Sequence, residues 1–423
     1  MKNRLPVLGI ILSLLLAACG AKAPAASSGP VTISMMMWGD PAELEVWNQI
    51  VADFHQANPN ITVKVDVSDW DSYWTKLKTM LSAGTPPDVF AMDAPLYLDY
   101  QSRGVLLNLQ PYLDKNPDML KGVYPQTLEA YKTPDGMYGL PRDFQTIALF
   151  YNKDMFDAAG VAYPTADWTY DDLREAAKKL TKVGPDGKVT QFGFYSDLWD
   201  MELIWSEAIW AYGGDVISAD HTKTLLGEPK ALQAWQLFHD MMFVDKSWPT
   251  STTAGEYGGD PFLAGVAAMT TIGHWAVPGY AEAKFKWDVA PMPTGPNGKA
   301  TSVNSAGFVI GKDSKNHDAA FEFLKYVLSE PAQKRLAELG FACPVLQSVA
   351  ESDAFLKQKT QIDQKVFLDS LAFAHMKPVF KGYDEWSSAI GDGMAPIWTG
   401  DAELIPTLNA SVVAADEVLA KNK

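Results

Sequence analysis

Five short clusters pair an indole ring, a carboxylate, or both with a turn: Trp38-Gly39-Asp40, Asp93, Arg142-Asp143, Trp199-Asp200 and Gly273-His274-Trp275. Trp70 and Trp386 fall at comparable places near strand ends or in loops. The combination has a defined chemistry. A pyranose offers an apolar C–H face that an indole can cover, and a ring of hydroxyls that donate to carboxylates. Rings and acids together also suit a polyamine or a quaternary amine through cation–π attraction. Trp38, Asp40, Asp93, Arg142, Asp143, Trp199, Trp275 and Trp386 are therefore the candidate ligand-binding residues.

Each candidate has a plainer reading beside it. Asp40 stands where a helix N-cap is expected, and capping alone accounts for it. Asp93 has less structural excuse at the end of a strand. Trp47, Trp205, Trp210 and Trp235 recur at helical spacing, which assigns them to cores.

Catalytic signatures are missing. The chain has no HExxH, and its six histidines show no metal-ligand spacing, so no metal or cofactor is expected. The stretch Gly295-Pro-Asn-Gly-Lys-Ala-Thr301 departs from a phosphate loop in gap length and in the residue after Lys299, and reads as an exposed turn. Asn304-Ser305-Ala306-Gly307 lacks the glycine that a nucleophile elbow needs two residues before its serine. Acids are plentiful enough that a secreted glycosidase, working through two carboxylates, stays open as an alternative.

The elements that must position these residues begin at Val31. An apolar run to Met37 predicts a strand that ends at Trp38. Asp40-Pro41-Ala42-Glu43 then has the pattern of a capping box with proline in the first turn. Leu44, Trp47, Val51 and Phe54 continue at helical spacing. Ile61 to Val67 alternates as a second strand, Tyr73, Leu77 and Leu81 mark a second helix, and Asp88 to Met92 a third strand. Strand, helix, strand, helix, strand predicts an α/β fold with a parallel sheet. Turn-rich breaks at 134–141 and 291–299 divide the rest into a second lobe and a return to the first. A long tryptophan-rich helix is expected from about Met201 to Tyr212, and a strand around Phe308–Ile310.

At 423 residues the chain exceeds one hydrophobic core, so two domains are expected. A formal net charge of −16 opposes nucleic acid as a partner. The start of the chain carries Lys2 and Arg4, then an apolar run from Val7 to Leu16 that is short of the roughly 20 residues a membrane span needs. Leu16-Ala17-Ala18-Cys19-Gly20 follows, matching the bacterial lipobox. Residues 1–18 read as a lipoprotein signal, Cys19 as the lipidated residue, and 19–30 as a flexible tether. That places the body outside the cytoplasm, anchored to the membrane by lipid. Cys343 then lacks a disulfide partner, and its apolar neighbours predict a buried thiol.

Several motifs in order resemble one family. They are Ser82-Ala-Gly-Thr-Pro-Pro-Asp-Val89 with Asp93, Gly104-Val-Leu-Leu-Asn-Leu109, Tyr138-Gly-Leu-Pro141 with Ala148-Leu-Phe-Tyr-Asn-Lys-Asp154, Ala267-Ala-Met-Thr-Thr-Ile-Gly-His-Trp275, Ser305-Ala-Gly307 and Ala319-Ala-Phe-Glu-Phe-Leu-Lys325. From Val31 onward the chain resembles the extracellular solute-binding proteins of family 1, the class that contains maltose-binding protein. The resemblance implies a type II periplasmic-binding-protein fold, with the ligand cleft between two lobes joined by hinge crossings. It implies lobes of 31–141 with 307–348 and of 142–306 with 349–423, a monomer, and an ABC permease as partner. Trp275 matches the family's sugar-stacking aromatic, while Trp38, Asp40, Asp93, Arg142 and Asp143 match segments that line the cleft. Trp199 and Trp386 match second-lobe segments more loosely. In the third strand, Ala91-Met92 replaces the aromatic of the maltose-binding member, which argues against long maltodextrins.

Overall fold

The computed structural model describes residues 29–358 and 362–422. The expected signal 1–18, Cys19 and most of the tether lie outside those residues.

The predicted opening forms as read, and local chemistry explains it. Strand β1 (Val31–Trp38) leads to helix α1 (Pro41–Ala57). Asp40 accepts the Glu43 backbone N–H at 2.8 Å while the Glu43 carboxylate accepts the Asp40 N–H at 3.2 Å. This closed capping box satisfies two of the helix's orphan donors. Val46, Trp47, Ile50 and Phe54 form its buried stripe. Strand β2 (Ile61–Ser68), helix α2 (Trp70–Ser82, capped by Asp69) and strand β3 (Val89–Asp93) follow. Both β2 and β3 run parallel to β1, one on each side.

The first sheet is nevertheless mixed. Beyond β3 comes β9 (Ala306–Ile310), antiparallel to it, and then β4 (Gly139–Pro141), antiparallel to β9, giving the order β2-β1-β3-β9-β4. Apolar patterning reports burial and not strand direction, so the run that returns at Ala306 could not reveal its orientation.

A second sheet is built on β5 (Gln145–Asn152), all eight of whose residues are buried. β6 (Met269–Gly273) pairs with one edge. β7 (Trp287–Ala290) and β8 (Thr301–Asn304) share the other, and β10 (Ala374–Met376) extends beyond β8. The chain passes from the first sheet to the second at Arg142–Phe144 and back at Ser305. These passages are bonded to each other: the Arg142 N–H donates to the Ala306 carbonyl at 2.9 Å and Ser305 Oγ to the Asp143 carbonyl at 2.9 Å. The break at 291–299 is no passage. It holds a small hairpin, Thr294–Gly295 with Gly298–Lys299, seated on the second sheet's helices. A third passage leads from Asp353–Leu356, packed on the first lobe's Glu330–Glu338, to Lys365–Asp369, which lies against β5.

The long helix expected over 201–212 is broken. A single turn at Met201–Leu203 ends at Ile204 (φ −160°), and helix α3 (Trp205–Ala211) starts afresh. Asp200 caps the turn through the Glu202 N–H at 2.9 Å, and Ser206 Oγ closes onto the Met201 carbonyl at 2.7 Å. Residues on both sides of the break are apolar, so periodicity runs straight through it. The break separates two acids. Glu202 points to the space between the sheets, while Glu207 turns inward and accepts the Ser302 N–H at 3.0 Å.

Burial, partly offset by hydrogen bonds from Ser302 and Ser206, pushes the Glu207 carboxyl up to about 8. A carboxyl whose folded pKa is raised favours the fold while protonated, and that contribution is lost as pH climbs through the folded value. Glu207→Gln keeps the donor and acceptor but cannot ionise. Its melting temperature relative to the natural chain is therefore expected to rise steadily between pH 5.5 and 8.5 in parallel thermal melts. A flat difference would show that Glu207 does not titrate there.

Candidate ligand cavity

A cavity of about 570 Å³ lies between the two sheets, within the range of small-molecule sites. Trp38, Asp40, Asp93, Arg142, Asp143, Trp199 and Trp275 all line it. Trp386 does not, which corrects its assignment. On helix α4 (Tyr383–Thr399) it is fully buried, packs on Phe380 and Tyr383, and donates from Nε1 to Thr224 Oγ1 at 2.9 Å. Another helix residue carries α4's link to the cavity. Gly391 supports Trp199, because a Cβ at 391 would come within 3.0 Å of the indole. Trp199 is 48% exposed, which makes its ring available to a ligand.

The aromatic walls are held rigidly. Trp38 meets Trp70 edge-on at 4.9 Å between ring centroids and stacks on Trp74 at 5.6 Å. Trp275 lies flat across Gly273, where any Cβ would sit 1.8 Å from the ring. That glycine is needed for close approach of the indole, not for an unusual φ. His274, next in sequence, faces away into the protein. Its Nε2 lies 2.6 Å from Gln364 Oε1, and burial pushes its pKa down to about 4, so it is neutral.

Eight acids reach the cavity, and each has a partner within the protein. Asp40 and Glu43 close their capping box, and Asp69 accepts the Ser72 N–H at 3.0 Å. Asp93 accepts from Asn304 Nδ2 at 2.7 Å, across the passage between sheets. Asp260 accepts the Leu263 N–H and the Tyr280 hydroxyl, both at 2.9 Å. Asp143 lies 3.0 Å from Arg142 Nε. Asp200 and Glu202 lie 3.3 Å and 3.5 Å from the ammonium of the buried Lys377. Burial raises the Glu43 carboxyl to about 7 and Glu202 to about 8, with Arg142 and Lys377 respectively opposing the rise. Asp93 is also raised by burial, against the pull of Lys377.

Arg142 is enclosed by rings. Its guanidinium carbon stands 5.3 Å from the centroids of Trp38 and Trp47, 5.4 Å from Phe308 and 5.5 Å from Phe341. The rings and Asp143 together offset the loss of its hydration.

Sequence reasoning missed Glu43, Asp69, Asp260, Tyr280 and Lys377. Glu43 and Asp69 were legible as cap residues, and a cap at the carboxyl end of a strand points toward this kind of crevice. No local signal marks Asp260 or Lys377, which only the long-range fold brings in. Cys343 is buried, and burial holds its thiol well above the ordinary range. Among the described residues no group of three or more His, Cys, Asp or Glu could hold a metal ion.

Two lobes, three passages and a cavity walled by rings and acids define a receptor that encloses a small solute. The comparisons agree. Residues 38–334 match the bacterial extracellular solute-binding protein model, and the chain belongs to that family. It is 28% identical to a Brucella abortus protein over 380 residues, covering 89% of this chain and 90% of that one. The galactooligosaccharide-binding protein of Bacillus subtilis is 24% identical, with 97% and 96% covered. An ABC substrate-binding protein of Listeria monocytogenes, solved in complex with cycloalternan, superposes with a TM-score of 0.84 at 27% identity, covering 93% of this chain and 99% of that one.

Arg142→Met would leave Asp143 buried without a counter-charge. Chemical denaturation is expected to show a loss of about 3–5 kcal/mol. Adding Asp143→Leu should recover part of it, and a single variant as stable as the natural chain would show the pair to be unimportant.

Proposed function

We propose that this chain captures a mono- or oligosaccharide between its lobes and presents it to an ABC permease. The observation that carries the reading is that indoles and carboxylates from both sheets border one cavity. Trp38, Asp40 and Asp93 come from the first sheet's side, Trp199 and Trp275 from the second, and the Arg142-Asp143 passage lies between them. Rings would cover sugar faces and acids would accept hydroxyls. The galactooligosaccharide-binding and cycloalternan-bound relatives support a carbohydrate. The resemblance of residues 16–20 to a lipobox supports lipidation at Cys19 and an anchored body outside the cytoplasm. No turnover is part of this reading.

The test is a thermal-shift panel of neutral sugars. A sugar at 100 times its dissociation constant stabilises by about 2.7 kcal/mol. A panel in which no sugar raises the melting temperature defeats the proposal, as does hydrolysis of a chromogenic glycoside.

Trp275→Ala is expected to weaken the selected sugar by about 2 kcal/mol or more, the loss typical of a buried aromatic anchor. Gly273→Ala should weaken it too, by forcing the indole off its bed. Titration calorimetry showing full affinity in Trp275→Ala would remove that ring from the ligand.

A further inference from the structure

Lys377 follows β10 directly and is 4% exposed, behind the cavity wall. It is not one of the cavity's lining groups, yet two lining acids pair with it. Its ammonium stands 3.3 Å from Asp200 and 3.5 Å from Glu202, and its charge also acts on Asp93. The ring of Tyr383 lies 5.9 Å away and completes its surroundings. Asp93 ends a strand of the first sheet, whereas Asp200 caps, and Glu202 lies in, the single turn before the helix that serves the second. One buried cation thus lets like charges from both lobes border the same space.

We propose that Lys377 is the positioning residue that tunes this cavity to uncharged sugars. The inference rests on the carbohydrate reading above. Every carboxylate on the cavity already has an internal donor or cation, so an ammonium on a ligand would compete for a partner instead of finding a vacant one. Both nearby cations, Arg142 and Lys377, are likewise committed to acids, so an acidic sugar would find none free. A neutral polyol needs only acceptors with spare lone pairs, and partnered carboxylates keep these. Leaving the acids unpartnered would reverse the preference, because an isolated negative charge in a water-poor site attracts a cation strongly.

The experiment uses a reducing oligosaccharide that the thermal-shift panel selects, converted at its reducing end into three open-chain forms that keep the remaining rings intact. These are the neutral alditol, the aldonate and the 1-amino-1-deoxyalditol, which share a shape and differ in charge. Calorimetry on the natural chain is expected to rank the alditol tightest. In Lys377→Met the ratio of amine affinity to alditol affinity should rise at least fivefold at pH 8. The rise should shrink toward pH 5 as Asp93 and Glu202, both raised by burial, take up protons. Lys377→Met with Asp200→Asn, which removes an acidic partner of Lys377 while keeping a capping oxygen, should return the ratio toward its natural value. An equal loss for all three forms, independent of pH, would reduce Lys377 to a structural part and overturn the proposal. If Lys377→Met does not fold, Asp200→Asn alone reads the opposite sign, and the aldonate should gain on the alditol. Charged forms that match the alditol in the natural chain defeat the inference but leave the sugar reading intact. A panel without any sugar hit defeats both.

Discussion

The constraint on which this structure rests is that charge is held between two sheets where water is scarce. Asp93 and Asp143 line the cavity and Lys377 stands behind its wall, each at least nine-tenths buried. Isolated, any of them would cost several kcal/mol in lost hydration. Asp93 and Lys377 are compensated from distant stretches of chain, by Asn304 and by Asp200, while Asp143 has its sequence neighbour Arg142 beside it. The first of these contacts also joins the two sheets. Parting the lobes changes the distances among Asp93, Asp200 and Lys377, so motion about the passages and the electrostatics of the cavity are one problem. Elsewhere the lobes touch through the Gly382 N–H, which donates to the buried Asp99 at 2.6 Å, and through exposed pairs such as Lys78 with Asp384, which in water contribute little.

The aromatic walls obey a different requirement, which is stiffness. An indole that must be ordered by its ligand charges that ordering against affinity. Here the backbone removes most of the freedom beforehand. Gly273 gives Trp275 a flat bed, Gly391 does the same for Trp199, and Trp38 is wedged among Trp70, Tyr73 and Trp74. A small residue beneath a large ring is the recurring device, and it uses strand and helix backbone as the support.

These two requirements explain which parts of the site could be read from sequence. Caps and strand ends are local, so Asp40, Asp93 and the first five elements were legible, as was the placing of Trp38 and Trp275 on one cavity. Trp386 was misplaced because a turn-like stretch, Lys381-Gly382-Tyr383, precedes it. Gly382 in fact starts α4, and the next turns bury the tryptophan against Phe380. The broken helix at Ile204 was hidden because apolar residues flank it on both sides. Lys377 was out of reach altogether. Lysine at a chain position says nothing of burial, and its partners lie 175 or more residues away in sequence. Electrostatic compensation across passages is a property of the closed fold.

A receptor that delivers its cargo must also let it go. Were the ligand to supply the counter-charge for the cavity's acids, its departure would leave a buried charge unpaired, and release would carry that penalty. With the charges compensated internally, the empty and filled cavities have nearly the same electrostatic cost. Binding then draws on hydroxyl hydrogen bonds and ring faces, each modest and each replaceable by water as the lobes part. Differential affinity between open and closed forms comes from how many such contacts both lobes make at once. A neutral ligand bound by many small contacts from two sides is therefore the physical arrangement that closes readily and opens without strain.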